Sequence, residues 1–126
     1  MNIGGQQFTY KAKEAILNAQ NLAKSKKQQQ IDALHLLNAL LHQESSIVLT
    51  VLEKIGVEME ILRTRTKLTI DKLSSIVTPQ QKNNTSYQFY FTQDMAHVLD
   101  GSKNEMAKMA DEFISVDHLF LSLLSV

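Results

Sequence analysis

The sequence predicts an all-α domain built on an internal duplication. Gly and Pro number only 4 and 1 among 126 residues, apolar residues recur at helical spacing, and the end of the chain repeats its beginning without a gap. Scarce Gly and Pro leave few places for tight turns, and a hydrophobic content of 44% suffices for a single core.

From Thr9 to about Lys24, the residues Ala12, Ala15, Ile16, Ala19, Leu22 and Ala23 fall on one face of a helix, with Thr9 as its N-cap. The polar run Lys24 to Gln30 interrupts it. Asp32 can then cap a second helix through Leu34, Leu36, Leu37, Leu40 and Leu41, which is apolar on most of its surface and therefore expected at the centre. Ser45 or Ser46 starts a short third helix through Val48, Leu49, Val51 and Leu52, and Gly56 ends it, since glycine takes the left-handed C′ conformation without strain. A fourth runs from about Glu58 to Leu73, with Leu62, Thr66, Thr69, Ile70 and Leu73 on one side and Arg63, Arg65, Lys67 and Lys72 expected on a solvated face. Residues 74–90 lose the periodicity, contain the only Pro and form a linker. Regular structure resumes with a fifth helix, roughly Thr92 to Ala110, and a sixth, roughly Ser115 to Leu124. Gly101 inside the fifth costs about 1 kcal/mol relative to Ala and so points to a close helix crossing.

The duplication is read by a shift of 83 positions, which lays residues 8–41 over residues 91–124. It matches Phe8/Phe91, Thr9/Thr92, Ile31/Ile114, His35/His118, Leu36/Leu119, Leu40/Leu123 and Leu41/Leu124. Identities at helix starts and on apolar faces are what a copied packing unit retains. The division is then repeat one at 8–73, a linker at 74–90 and a partial repeat two at 91–126. Helices three and four have no second copy before Val126, so the chain is expected to be a fragment cut inside a longer one.

Thirteen Lys and Arg balance thirteen Asp and Glu, and this neutrality argues against nucleic-acid binding and against attraction to an anionic membrane. With no Cys there are no disulfides or thiolate metal sites. No apolar stretch approaches the roughly 18 residues of a membrane span, and no signal peptide opens the chain, so a cytoplasmic address is expected. His35, His42, His97 and His118 lack any H-x-x-x-H or H-E-x-x-H spacing, which leaves no expected metal. The matched positions of His35 and His118 predict a shared hydrogen-bonding or packing role. Without a G-x-x-x-x-G-K-[ST] loop or a G-x-S-x-G elbow, neither ATP binding nor catalysis is expected of this chain.

Two copies of F-T followed by a polar stretch, then I-D-A-L-H-L-L-N-A-L-L and D-E-F-I-S-V-D-H-L-F-L-S-L-L, resemble the Clp N-terminal domain, the duplicated helical module at the start of Clp-family AAA+ unfoldases. Within that family the likeness is to the ClpB disaggregase branch. Proteolytic members such as ClpC often carry an acidic residue before the His of both repeats, and ClpC binds phosphoarginine there, whereas this chain has Leu34 in the first copy and Asp117 in the second.

The resemblance implies a client-recognition module for unfolded or aggregated polypeptides. It would be attached to homohexameric rings, absent here, that use ATP and Mg; adaptor docking is the alternative. The family positions tied to clients fall on Thr9, Asp111 and Asp117. Thr9 also caps a helix, and Asp117 meets the positive end of a helix dipole. With Glu112 the two aspartates form an acidic edge suited to segments mixing apolar and basic residues. Leu99, on the fifth helix, is the leading candidate for the apolar side of the groove between the repeats, with plain core packing as the stronger alternative. Met95, Met106 and Met109 fit either an adaptable surface or the core.

Overall fold

The computed structural model describes residues 7–44, 46–73 and 89–126. Among the described residues six helices carry the fold: α1 (Tyr10–Ser25), α2 (Ala33–Leu41), α3 (Ile47–Lys54), α4 (Met59–Asp71), α5 (Gln93–Lys108) and α6 (Val116–Leu123). The chain pairs α1 with α2 and α5 with α6, α2 and α6 meet at the centre, and α4 covers the outer side of α2. Side chains at the helix starts fix the boundaries. Thr9 Oγ1 accepts from the Ala12 amide at 3.2 Å, Thr92 Oγ1 from Met95 at 3.1 Å, and Ser46 Oγ from Val48 at 3.1 Å. Ser45, the other expected cap of α3, lies outside the described residues, as does most of the expected linker, residues 74–88.

Repeat mates occupy equivalent places in one core. Ala12/Met95, Ala15/Val98, Ile16/Leu99, Ile31/Ile114 and Leu36/Leu119 are all buried. Gly101 sits where α5 crosses α6, and a Cβ added there would lie 2.4 Å from Ser122 Oγ, which is the close crossing the sequence predicts.

The all-α expectation misses a small parallel sheet. Gln30–Ile31 (β1) pairs with Tyr90–Phe91 (β2), and an isolated parallel bridge joins Phe8 to Ile114. These are the same connection made twice: Phe91 is the mate of Phe8 and Ile31 the mate of Ile114. Each repeat thus lends its opening residues to the other, with Thr92 N–H donating to Ile31 O at 3.1 Å and Thr9 N–H to Ile114 O at 2.9 Å. Runs of two residues are too short to show period-two alternation, so no sequence signal marked them. Phe89 and Tyr90, the end of the expected linker, therefore belong to the fold.

Two further expectations change. Arg63 is not on a solvated face: its Nε donates to Leu41 O at 3.0 Å, closing the end of α2, and Nη1 reaches Glu60 at 2.9 Å. Leu41 and Leu124 hold the same repeat position, yet Leu41 is fully buried beneath α4 while Leu124 is 68% exposed.

Candidate functional site

The connection from α5 to α6 is shaped by a helix end that the sequence does not advertise with glycine. Ala110 takes φ 57°, its N–H donates to Ala107 O at 3.1 Å, and the Asp111 N–H donates to Met106 O at 3.1 Å. This paired bonding is a Schellman ending, and it turns the chain back toward α6. Repeat one does the same with Lys27, also at φ 57°, and with Gln28 N–H donating to Ala23 O at 2.9 Å.

Beyond the turn lies a histidine clasp, again in both repeats. The Ser115 N–H donates to His118 Nδ1 at 2.8 Å, which leaves the ring proton on Nε2, where it donates to Asp111 Oδ2 at 2.9 Å. In repeat one the Asp32 N–H donates to His35 Nδ1 at 2.9 Å, and His35 Nε2 donates to Gln28 Oε1 at 2.8 Å. The shared role expected of the two histidines is therefore to close a reciprocal cap at the starts of α2 and α6. Burial holds the His35 pKa below its ordinary value, against a smaller opposing pull from Asp32.

The third member of the clasp is where the repeats part. Gln28 is buried, and its Nε2 donates to Ile70 O of α4 at 2.8 Å. Asp111, its mate, leaves 52% of its side chain in solvent. One scaffold position holds a covered amide in the first half and a solvent-facing carboxylate in the second.

Around Asp111 the structure gathers three of the four expected residues. Thr9 is half-buried and bonded through its N–H to Ile114, and Ile114 N–H donates back to Gln7 O at 2.9 Å, so the start of α1 is fastened to the connection carrying Asp111. Asp117 is exposed in the first turn of α6, where the helix dipole favours its charge. Glu112 is exposed between them. Leu99 is a correction: at 5% exposure it packs in the core opposite α6, because it is the repeat mate of buried Ile16, and it offers no surface to a ligand. Phe113, absent from the expected set, is 44% exposed in the middle of the edge. A lone aromatic among acidic residues in a short interhelical connection was its only signal. Of the methionines, Met95 is core, Met106 is half-buried and Met109 is 48% exposed.

The formal neutrality also conceals a division. Residues 7–73 carry ten Lys and Arg against seven Asp and Glu, a charge of +3, while residues 89–126 carry two against six, a charge of −4. The edge belongs to the acidic half, so a long-range field is present after all, as a dipole across the repeats. Among the described residues no cluster of three or more His, Asp or Glu is placed to hold a metal ion, and no helix is long and apolar enough to cross a membrane.

Fold and edge together define a duplicated helical module with swapped strand pairings and an acidic, partly aromatic rim on its second repeat. Residues 7–126 match the Clp repeat (R) N-terminal domain, and the chain belongs to that family. It is 32% identical over 116 residues to the chaperone protein ClpB of Bacillus cereus, covering 92% of this chain and 13% of that protein. To ClpB of Rickettsia typhi it is 31% identical over 123 residues, 98% of this chain and 14% of the relative. The chain thus spans about an eighth of the curated relatives' length. The N-terminal domain of Hsp104 from Candida albicans superposes with a TM-score of 0.81 at 23% identity, over 94% of this chain and 74% of that one. The chain is an N-domain of the kind found in Clp chaperones.

Proposed function

We propose that this chain recognises clients for a ClpB-like disaggregase, taking up exposed apolar segments of unfolded or aggregated polypeptides at the edge formed by Thr9, Asp111, Glu112, Phe113 and Asp117. The observation that carries the reading is the divergence of the two clasps. Structure alone is served by a buried amide at Gln28, so an exposed carboxylate at the equivalent Asp111 is not needed to hold the fold. Phe113 supplies the apolar surface, and the surrounding carboxylates attract Lys and Arg of a client and raise its encounter rate. Because the Schellman turn, the clasp and the bridge to Thr9 fix the edge, binding orders only the client. Threading, ATP and Mg belong to homohexameric rings outside this chain, in the cytoplasm, and the domain itself contributes binding without catalysis.

The test is a fluorescence titration with a permanently unfolded protein and with the folded form of that same protein. Saturable binding of the unfolded form alone is expected. Selective binding of one folded partner from a lysate, with no affinity for unfolded chains, would replace this reading with adaptor docking.

A further inference from the structure

The positive half of the molecule has a site of its own. Lys24, Lys26 and Lys27 close α1, and Arg63, Arg65, Lys67 and Lys72 lie along α4. Between α1, α2 and α4 runs a groove of about 530 Å³ whose floor includes Leu22 and Ile70 and whose rim includes Lys26, Arg63 and Lys67, with the hydroxyls of Ser25 and Thr64 beside them. Arg63 is held in place by Leu41 O, and it stands one helical turn from Lys67, roughly 6 Å along the axis. Internal pairing offsets part of this charge, since Lys26 bonds to Asp71 and Arg63 to Glu60. Lys67 has no ion pair among the described residues.

We propose that this groove docks an acidic polypeptide segment, with carboxylates one turn apart meeting Arg63 and Lys67 and an intervening apolar side chain resting on half-buried Leu22. A polypeptide fits better than a nucleic acid. Glu60 interrupts the rim, so an unbroken line of phosphates would be repelled at one end, and no Phe, Tyr or Trp lines the groove for a base to stack on. The site lies in the opposite repeat from the client edge and draws the opposite charge, so the domain holds two docking surfaces of complementary preference.

The experiment is an NMR titration of the whole chain with an acidic peptide of Glu, Leu and Ala, with its Lys-for-Glu counterpart, and with oligo-dT as a generic polyanion. The acidic peptide is expected to shift amides of residues 22–26, 38–42 and 60–70, and Lys67→Glu to weaken it about tenfold, as reversing one exposed charge allows. Lys26→Gln should weaken it less, and Lys108→Glu, on the other repeat, should leave it unchanged. Shifts confined to residues 111–117, indifference to Lys67→Glu, no binding of the acidic peptide, or equal binding of oligo-dT would each overturn the proposal. None of these results bears on unfolded clients at the acidic edge, which the other titration tests.

Discussion

Gly101→Ala should destabilise the domain, although helix propensity alone says the opposite. Replacing a mid-helix glycine by alanine ordinarily stabilises by about 1 kcal/mol. Here the new methyl would lie 2.4 Å from Ser122 Oγ, about 1 Å closer than ordinary carbon–oxygen contact. Ser122 cannot swing aside freely, because it is buried and its Oγ donates to Val98 O at 2.7 Å. Relieving the overlap means either parting α5 from α6, with an overpacking cost of about 1–3 kcal/mol, or abandoning a buried hydrogen bond at similar cost. After the propensity gain, a net loss of about 1–2 kcal/mol remains, read as a lower midpoint in urea denaturation at unchanged slope. Repeat one shows the remedy: its equivalents of Gly101 and Ser122 are Asn18 and Ala39, a pair with no serine hydroxyl at the crossing. Adding Ser122→Ala to Gly101→Ala should therefore cost less than the two single losses summed. A Gly101→Ala protein more stable than wild type would refute the packing argument.

Three further outcomes rest on the same geometry. Ala110→Gly and Lys27→Gly should each stabilise by about 0.5–1 kcal/mol, since the left-handed cost at φ 57° exceeds the entropy glycine loses, and unchanged denaturation midpoints would contradict this. Thr9→Ala should cost about 1 kcal/mol through the lost cap even without client present, read in the same assay. Because the folded His35 pKa is depressed, the unfolded chain takes up its proton first; the stability tied to neutral His35 is complete above its ordinary value of 6.5 and falls as pH drops below it. Wild type should accordingly lose more stability than His35→Gln between about pH 7.5 and about pH 5.5, and equal losses would remove His35 as the cause.

The helices and their caps were legible because each rests on local signals: period, a capping side chain, a breaking residue. The 83-residue shift was informative beyond that, since it pairs Thr9 with Thr92 and His35 with His118, and all four do matched work in the structure. The features that stayed hidden depend on tertiary context. The swapped strand pairings are too short for a pattern, and the Schellman endings use Lys27 and Ala110 where glycine would have been the signal. Leu99 and Phe113 exchanged roles for a related reason. A helical leucine says only that some face is apolar, and which face is covered depends on α6; Phe113 is exposed because the bridge beside it takes Ile114 inward. Charge totals concealed most, since zero is the sum of +3 in residues 7–73, −4 in residues 89–126 and +1 from Lys82 between them.

The most direct test of client recognition at the acidic edge is the affinity of Asp111→Asn/Asp117→Asn for a permanently unfolded protein. Asparagine still accepts from His118 Nε2, as Gln28 accepts from His35, so this variant removes charge while keeping the clasp. Wild-type stability to within about 1 kcal/mol, with client affinity lowered about tenfold, is the expected result. Affinity equal to that of wild type in a protein of unaltered stability would contradict the account.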